Sequence, residues 1–199
     1  MKALSSYRGR VDDVLLPLAT TGDASLFVEA EAAAILGRHQ SPHAAEACKV
    51  LLEKESWGDK LVAGGLSGLG ASRDKSQLKL LIEHASSSYP ERHRAAAAGA
   101  LGRLADEVPD VRADVMDCLL DMAENAGFRA KLAAISALGK VRDPRALGLL
   151  SRLHGTGGDG RVKRSAYESM CAIREGRSTE DALQGLRQSV EKMGREQGR

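Results

Sequence analysis

The sequence predicts an all-α fold, an α-α superhelix of about five stacked helix pairs followed by a C-terminal helix. The first reason is composition: 43% of the 199 residues are hydrophobic and only 3% are aromatic, so Ala, Leu, Val and Gly must form the core. The second is the lack of runs with the period-two alternation typical of strands. The third is a helix pair that recurs every 32 to 37 residues, a spacing typical of solenoid repeats.

The clearest copy of the repeated unit runs from Ala130 to Leu147. Its apolar residues recur at helical spacing, which predicts a helix that buries one wide face. Gly139 is expected to end this helix, since glycine readily adopts the left-handed conformation found at helix C-termini. Asp143 and Pro144 then predict the start of a second helix, because Asp accepts hydrogen bonds from free amides and Pro sacrifices none in a first turn.

The units divide the chain into three predicted parts. Residues 1–22 form a single helix, residues 23–174 form the solenoid, and residues 175–199 form a helix that either caps the solenoid or pairs as a short coiled coil. The units align on the residue before each inter-helix turn, which is Leu36, Leu69, Leu101, Leu138 and Met170. An apolar half-unit at the start favours further chain before Met1, because solenoid ends normally carry a polar cap.

Charge and hydropathy exclude several classes of protein. The net charge of +2 favours neither nucleic acid nor an anionic membrane as a partner. The charges are uneven: residues 104–125 contain one basic and seven acidic residues, whereas residues 126–177 contain eleven basic and four acidic residues. We find neither a signal peptide nor an apolar run long enough to span a membrane, so a cytoplasmic protein without a membrane span is expected.

The repeated pattern resembles short HEAT repeats of the phycobilin-lyase type. Two stretches carry the resemblance, Val28 to Gly37 and Asp143 to Ala146. The first matches the Ala-Ala-x-Ala-Leu-Gly end of a first helix, and the second matches the Asp-Pro-x-Ala start of its partner. The resemblance implies a HEAT/armadillo-like solenoid and says little about function.

Four further stretches carry a narrower resemblance. They are Leu26 to Ala32, Glu55 to Trp57 with the helix that ends at Gly70, Gly158 to Arg164, and Glu175 to Asp181. Together and in this order they are similar to the C-terminal helical-repeat domain of bacterial and archaeal zinc aminopeptidases of the aminopeptidase N family. In that family the helical domain packs over the catalytic domain and walls its substrate chamber, which implies a non-catalytic domain in contact with protein.

No motif predicts a catalytic, cofactor or metal site. The His-Glu-x-x-His zinc motif of the aminopeptidases does not occur. His39 and His43 have the same separation, but the residues between them form the predicted inter-helix turn, so the two rings need not share a face. The glycine-rich stretch 155–160 is interpreted as a turn between repeats rather than as a phosphate site.

Arg94, Lys131 and Lys163 are the candidate partner contacts. They occupy equivalent places in three units and are predicted to form a basic ridge. Protein or domain contact, phosphate contact and solvated surface all remain open for this ridge. Nucleic acid is the unlikely partner, since base extrusion requires stacking aromatics and a carboxylate in a basic cleft, and Trp57 is the sole tryptophan.

Three functional hypotheses follow. The leading one is a non-catalytic solenoid that presents an interaction surface to protein, most specifically as the C-terminal domain of a zinc aminopeptidase. The alternative is a free-standing HEAT-repeat scaffold whose basic ridge binds an acidic protein partner. The least favoured is a HEAT-type enzyme, either a bilin lyase or a DNA-repair glycosylase. None of the three places the protein in a membrane, and the first two require no cofactor.

Overall fold

The structure is a computed structural model that describes residues 12–156, 158–176 and 179. All regular structure among these residues is helical, as predicted. The helices are α1 (Asp12–Thr20), α2 (Leu26–Arg38), α3 (Ala44–Leu52), α4 (Lys60–Ala71), α5 (Leu78–Ala85), α6 (Glu91–Glu107), α7 (Arg112–Asn125), α8 (Phe128–Val141) and α9 (Leu147–Thr156), followed by α10 over residues 160–176. Short 3-10 turns lead into four of them: Trp57–Asp59, Lys75–Gln77, Pro109–Val111 and Pro144–Ala146.

The helices pack in two layers. The inner layer consists of the even-numbered helices, in which α2, α4, α6 and α8 pack side by side in chain order. Ser169 of α10 extends this layer, because its hydroxyl donates to the Ile135 carbonyl of α8 at 2.9 Å. The odd-numbered helices form the outer layer, where α3 packs on α4, α5 on α6 and α7 on α8. This sequential packing confirms the predicted α-α superhelix.

One apolar core runs between the two layers. The repeat-aligned residues all lie in it, and they are Leu36, Leu69, Leu101, Leu138 and Met170. Alanines such as Ala33, Ala98 and Ala134 fill the remaining space. Each buried Leu contributes on the order of 2 kcal/mol of hydrophobic stabilisation, so the recurring Leu explains why the repeat spacing is visible in the sequence.

The glycine after each aligned leucine does not end its helix, so the expectation for Gly139 is wrong. Helix α8 continues to Val141, and the left-handed residue that follows is Arg142, with φ of 57°. A Cβ on Gly139 would lie 2.8 Å from the Ser169 hydroxyl of α10. Similarly, a Cβ on Gly102 of α6 would lie 2.8 Å from Ala137 of α8. These glycines are needed because neighbouring inner helices approach closely, not because the chain turns there.

The predicted helix start at Asp143 and Pro144 is confirmed. The Asp143 carboxylate accepts a hydrogen bond from the Arg145 amide at 2.9 Å, and the Pro144–Ala146 turn leads into α9. Asp74 accepts from the Ser76 amide at 2.9 Å in the same way before α5. A carboxylate at this place satisfies amides that the first helical turn leaves without a partner.

The predicted domain boundaries are only partly covered by the described residues. Helix α1 falls within residues 1–22 and packs on α2 and α3. Helix α10 runs to residue 176, and the rest of the predicted C-terminal helix lies outside the described residues except for Thr179, so its two alternatives stay predictions. None of the described helices is long and apolar enough to cross a membrane.

Candidate interaction surface

The inner layer presents one aligned face of each of its helices. On every inner helix the residues of this face recur at positions i, i+7 and i+11, a spacing that keeps side chains on one side of a helix. They form three rows across the layer. The N-terminal row is Phe27, Lys60, Arg92, Arg129 and Arg161; the middle row is Ala34, Ser67, Gly99, Ser136 and Glu168; the C-terminal row is Arg38, Ala71, Arg103, Lys140 and Ala172.

A cavity of about 450 Å³ lies at the C-terminal ends of α2, α4, α6 and α8. Four cations and two carboxylates line it together with Ala71: Arg38, Arg73, Arg103, Lys140, Asp106 and Glu107. The excess of cations gives this end of the inner layer a positive potential.

Two cations of the cavity lack a carboxylate partner among the residues that the structure describes. Arg38 pairs with Glu31 at 2.7 Å, and Arg73 pairs with Glu107. Arg103 instead donates to the Ser67 hydroxyl at 3.3 Å, and the exposed Lys140 forms no ion pair with any described residue. Arg103 and Lys140 are therefore the groups with free capacity for an anionic partner.

Small residues form the floor beside this cavity. Ser67, Gly99 and Ser136 stand side by side in the middle row of α4, α6 and α8. A Cβ on Gly99 would meet nothing within 4 Å, so the space above α6 is open. The inner surface is thus a shallow channel between two basic rows.

The predicted ridge of Arg94, Lys131 and Lys163 lies elsewhere. Each is the fourth residue of its inner helix, so the three positions are equivalent. Each also lies seven residues before a buried aligned residue, and all three are half-buried. The Arg94 guanidinium donates to the Ala85 carbonyl of α5 at 3.0 Å. A partner contact by these residues stays a prediction.

Sequence reasoning missed Arg38, Arg103 and Lys140, although a signal was present. Arg92 and Arg103 are eleven residues apart, as are Arg129 and Lys140. Eleven residues correspond to about three helical turns, so each pair shares a face. The repeat alignment shows which positions are equivalent in different units. Only the eleven-residue spacing distinguishes an exposed helix face from a face that packs against the core.

Within the part of the chain that the structure describes, the histidines, the glycine-rich stretch and the cysteines form no further site. His39 and His43 flank the connection between α2 and α3, and the described part of the chain contains no group of three metal-binding side chains. Of the glycine-rich stretch 155–160, residues 155 and 156 end α9, residues 158 and 159 are bends and residue 160 begins α10, while residue 157 lies outside the described residues. Cys48 is buried, and burial raises the pKa of its thiol to about 12, whereas Cys118 and Cys171 are half-buried.

Comparison with protein families agrees with this architecture. Residues 78–171, which run from α5 into α10, match the family described as HEAT repeats. These residues are HEAT repeats. The match confirms HEAT repeats for this segment without testing the phycobilin-lyase type, and it gives no support to the aminopeptidase resemblance. A comparison of the chain with curated proteins finds no match.

Proposed function

We propose that this protein is a non-catalytic protein-binding module whose inner surface binds an acidic, extended segment of a partner. The observation that carries the proposal is the cavity at the C-terminal ends of the inner helices, where Arg103 and Lys140 have no carboxylate partner among the described residues. HEAT repeats generally serve as interaction scaffolds, and the HEAT segment at residues 78–171 supplies both of these cations.

The shape of the surface supports an extended segment rather than a compact ligand. The floor at Ser67, Gly99 and Ser136 is shallow and crosses three helices. The basic C-terminal row favours carboxylates at intervals along a chain, and such contacts guide association and weaken with salt. Guanidinium groups such as that of Arg103 can also bind a carboxylate through two hydrogen bonds.

A matched pair of glycine substitutions tests the proposal. Gly99→Phe fills the channel, whereas Gly148→Phe adds the same side chain on α9 of the outer layer, where a Cβ also meets nothing within 4 Å. The probe is a fluorescent peptide of alternating Glu and Ser, followed by anisotropy at two salt concentrations. We expect salt-sensitive binding that Gly99→Phe abolishes and Gly148→Phe leaves unchanged.

Charge reversal gives an independent check. Arg103→Glu with Lys140→Glu is expected to weaken binding of the same peptide at least about tenfold, equivalent to about 1.4 kcal/mol. Equal binding by this variant, or equal loss with Gly99→Phe and Gly148→Phe, would show that the inner surface is not the site.

The aminopeptidase hypothesis is the second candidate, and the placement of three of its four stretches supports it. Leu26 to Ala32 begins α2, Glu55 to Trp57 precedes α4, and Gly158 to Arg164 begins α10. Three of the stretches therefore lie at the N-terminal edge of the inner layer, as expected of residues that contact one neighbouring domain. The fourth lies largely outside the described residues.

The reading frame upstream of Met1 tests this second candidate. An in-frame segment that encodes His-Glu-x-x-His is expected, and its absence would contradict the aminopeptidase hypothesis. The chain by itself is expected to show no peptidase turnover with or without added zinc, since it carries no such motif. Turnover by the purified chain would contradict both proposals.

A further inference from the structure

Three of the six aromatic residues of this chain are exposed along one edge. Phe27 is 61% exposed, Trp57 is 82% exposed and Phe128 is 39% exposed. Phe27 is the second residue of α2, Phe128 is the first residue of α8, and Trp57 lies in the turn before α4. We call these three residues the aromatic edge. Burial of these side chains against a partner would be favourable, because it removes apolar surface from water.

Cations accompany the aromatic residues. The Lys60 ammonium lies 4.9 Å from the centroid of the Phe27 ring, and the Arg161 guanidinium lies 4.3 Å from that of Phe128. Arg92 extends its guanidinium over Gly58, the residue after Trp57, where a Cβ would lie 2.5 Å from it. The N-terminal row of the inner layer and the aromatic edge are thus one continuous surface.

Local contacts engage three of the carboxylates near this edge, whereas the exposed Glu55, two residues before Trp57, forms no ion pair with any described residue. Asp59 lies 3.2 Å from the His93 ring nitrogen, and Asp159 pairs with Arg161 at 3.3 Å. Glu91 accepts a hydrogen bond from the Arg129 amide at the start of α8, at 3.2 Å.

The cations beside the aromatic edge form fewer ion pairs than these carboxylates do. Lys60, Arg92 and Arg129 form no ion pair with any residue that the structure describes. The N-termini of the inner helices lie along the same edge and add positive partial charge. The surface is therefore both aromatic and electropositive.

We propose that the aromatic edge is a second docking surface, separate from the cavity, for an acidic protein segment that carries apolar side chains. Apolar groups would cover Phe27, Trp57 and Phe128, while carboxylates would meet Lys60, Arg92 and Arg129. Arg92 and Arg103, which mark the two sites on α6, are about 16 Å apart along the helix. The proposal does not depend on the cavity, because none of the residues that line the cavity belongs to the edge.

Protein fits this surface better than single-stranded nucleic acid. Base stacking needs open aromatic faces, but Lys60 and Arg161 each occupy one face of a phenylalanine ring. Proteins that bind nucleic acid also rely on a strong excess of cations to contact its phosphates, whereas the whole chain carries a net charge of only +2.

Trp57 is the sole tryptophan, so its fluorescence reports on this surface directly. The probe is a synthetic peptide of alternating Glu and Leu, compared with Glu/Ser and Lys/Leu peptides and with oligothymidine. We expect the Glu/Leu peptide to move the Trp57 emission to shorter wavelength and to reduce quenching by acrylamide. No change up to about 1 mM peptide, or a change with oligothymidine or the Lys/Leu peptide instead, would overturn the proposal.

Variants that keep Trp57 locate the binding. Phe27→Ala with Phe128→Ala is expected to weaken Glu/Leu binding at least about tenfold, because two apolar anchors are lost. Tyr167→Ala is the matched control, since Tyr167 is 53% exposed on α10 and lies beside His154 rather than on the edge. Equal effects of the two variants would overturn the proposal. Gly99→Phe should leave the change in Trp57 fluorescence intact. The proposal for the cavity and the proposal for the aromatic edge can therefore fail independently.

Discussion

Gly37 of α2 lies directly against the backbone of Gly68 in α4, so closely that a Cβ on Gly37 would overlap the Gly68 carbonyl oxygen. Gly68 in turn faces Cys48 of α3 and the Ala33 carbonyl of α2. Two inner helices and one outer helix therefore meet at this point with room only for hydrogen atoms.

Alanine substitutions at two helical glycines are expected to have opposite effects. Gly37→Ala should lower the free energy of unfolding by about 1 to 3 kcal/mol, because α2 and α4 must separate. Gly99→Ala should raise it by about 0.5 to 1 kcal/mol, because its Cβ meets nothing within 4 Å and alanine favours the helix. Urea unfolding measures both, and effects of the same sign would contradict the close approach of the inner helices.

Glu29 and Lys54 form an ion pair that joins α2 to the end of α3. The Lys54 ammonium lies 3.2 Å from the Glu29 carboxylate, whose side chain is only 7% exposed. Lys54→Met should lower the free energy of unfolding by about 2 kcal/mol, because it leaves a buried carboxylate without its partner. Lys75→Met is the control, since Lys75 and Asp110 are both exposed, and it should change stability by less than about 0.5 kcal/mol.

Asp74 stabilises the start of α5 in its ionised form. A hydrogen bond from the Gln77 side chain, with a second from Ser76, holds the pKa of Asp74 below its ordinary value of 3.8. Asp74→Ala should lower the free energy of unfolding by about 1 kcal/mol at neutral pH. Because the folded-state pKa is the lower one, this loss should shrink as pH falls below 3.8. Asp106→Ala, at an exposed residue, should have little effect at either pH.

His84 is expected to make the stability of the fold decrease in mild acid. Its ring is buried, stacks on Tyr89 with centroids 4.3 Å apart, and has an Nδ1 without a hydrogen-bond partner among the described residues. Burial, followed by the charge of His93, lowers the pKa of His84 below 6.5, although Glu83 opposes the shift. As pH falls below 6.5, the unfolded chain binds a proton that the folded protein resists, so stability should decrease.

Unfolding measured between neutral pH and about pH 5 tests the role of His84. His84→Phe keeps an aromatic ring against Tyr89 and should remove part of the pH dependence. His154→Gln changes an exposed histidine and should leave it unchanged. An unchanged pH profile in His84→Phe would show that another group is responsible.

The repeat architecture was predictable because local patterns encode it. Leu36, Leu69, Leu101 and Leu138 recur at one place in successive units, and Asp143 with Pro144 carries its own helix-start chemistry. The basic ridge shows the limit of this reasoning. Arg94 is equivalent to Lys131 and Lys163 along the chain, but its guanidinium binds the Ala85 carbonyl of the outer layer, a contact that requires knowing which helix lies beside it.

By itself, the sequence determined the all-α fold, the repeat spacing and the identity of the aligned core residues. These features were predictable because the hydrophobic periodicity that indicates them lies within each single helix. Only the tertiary structure decided the role of Gly139. A glycine is suited both to the end of a helix and to a close contact between helices, so the sequence could not distinguish the two roles. The contact is made by Ser169, which lies 30 residues away in the chain. The tertiary structure also decided that Arg103 and Lys140 share one cavity and that Phe27, Trp57 and Phe128 share one edge. These groupings arise from the packing of successive helices side by side, which brings together residues that are distant in the chain.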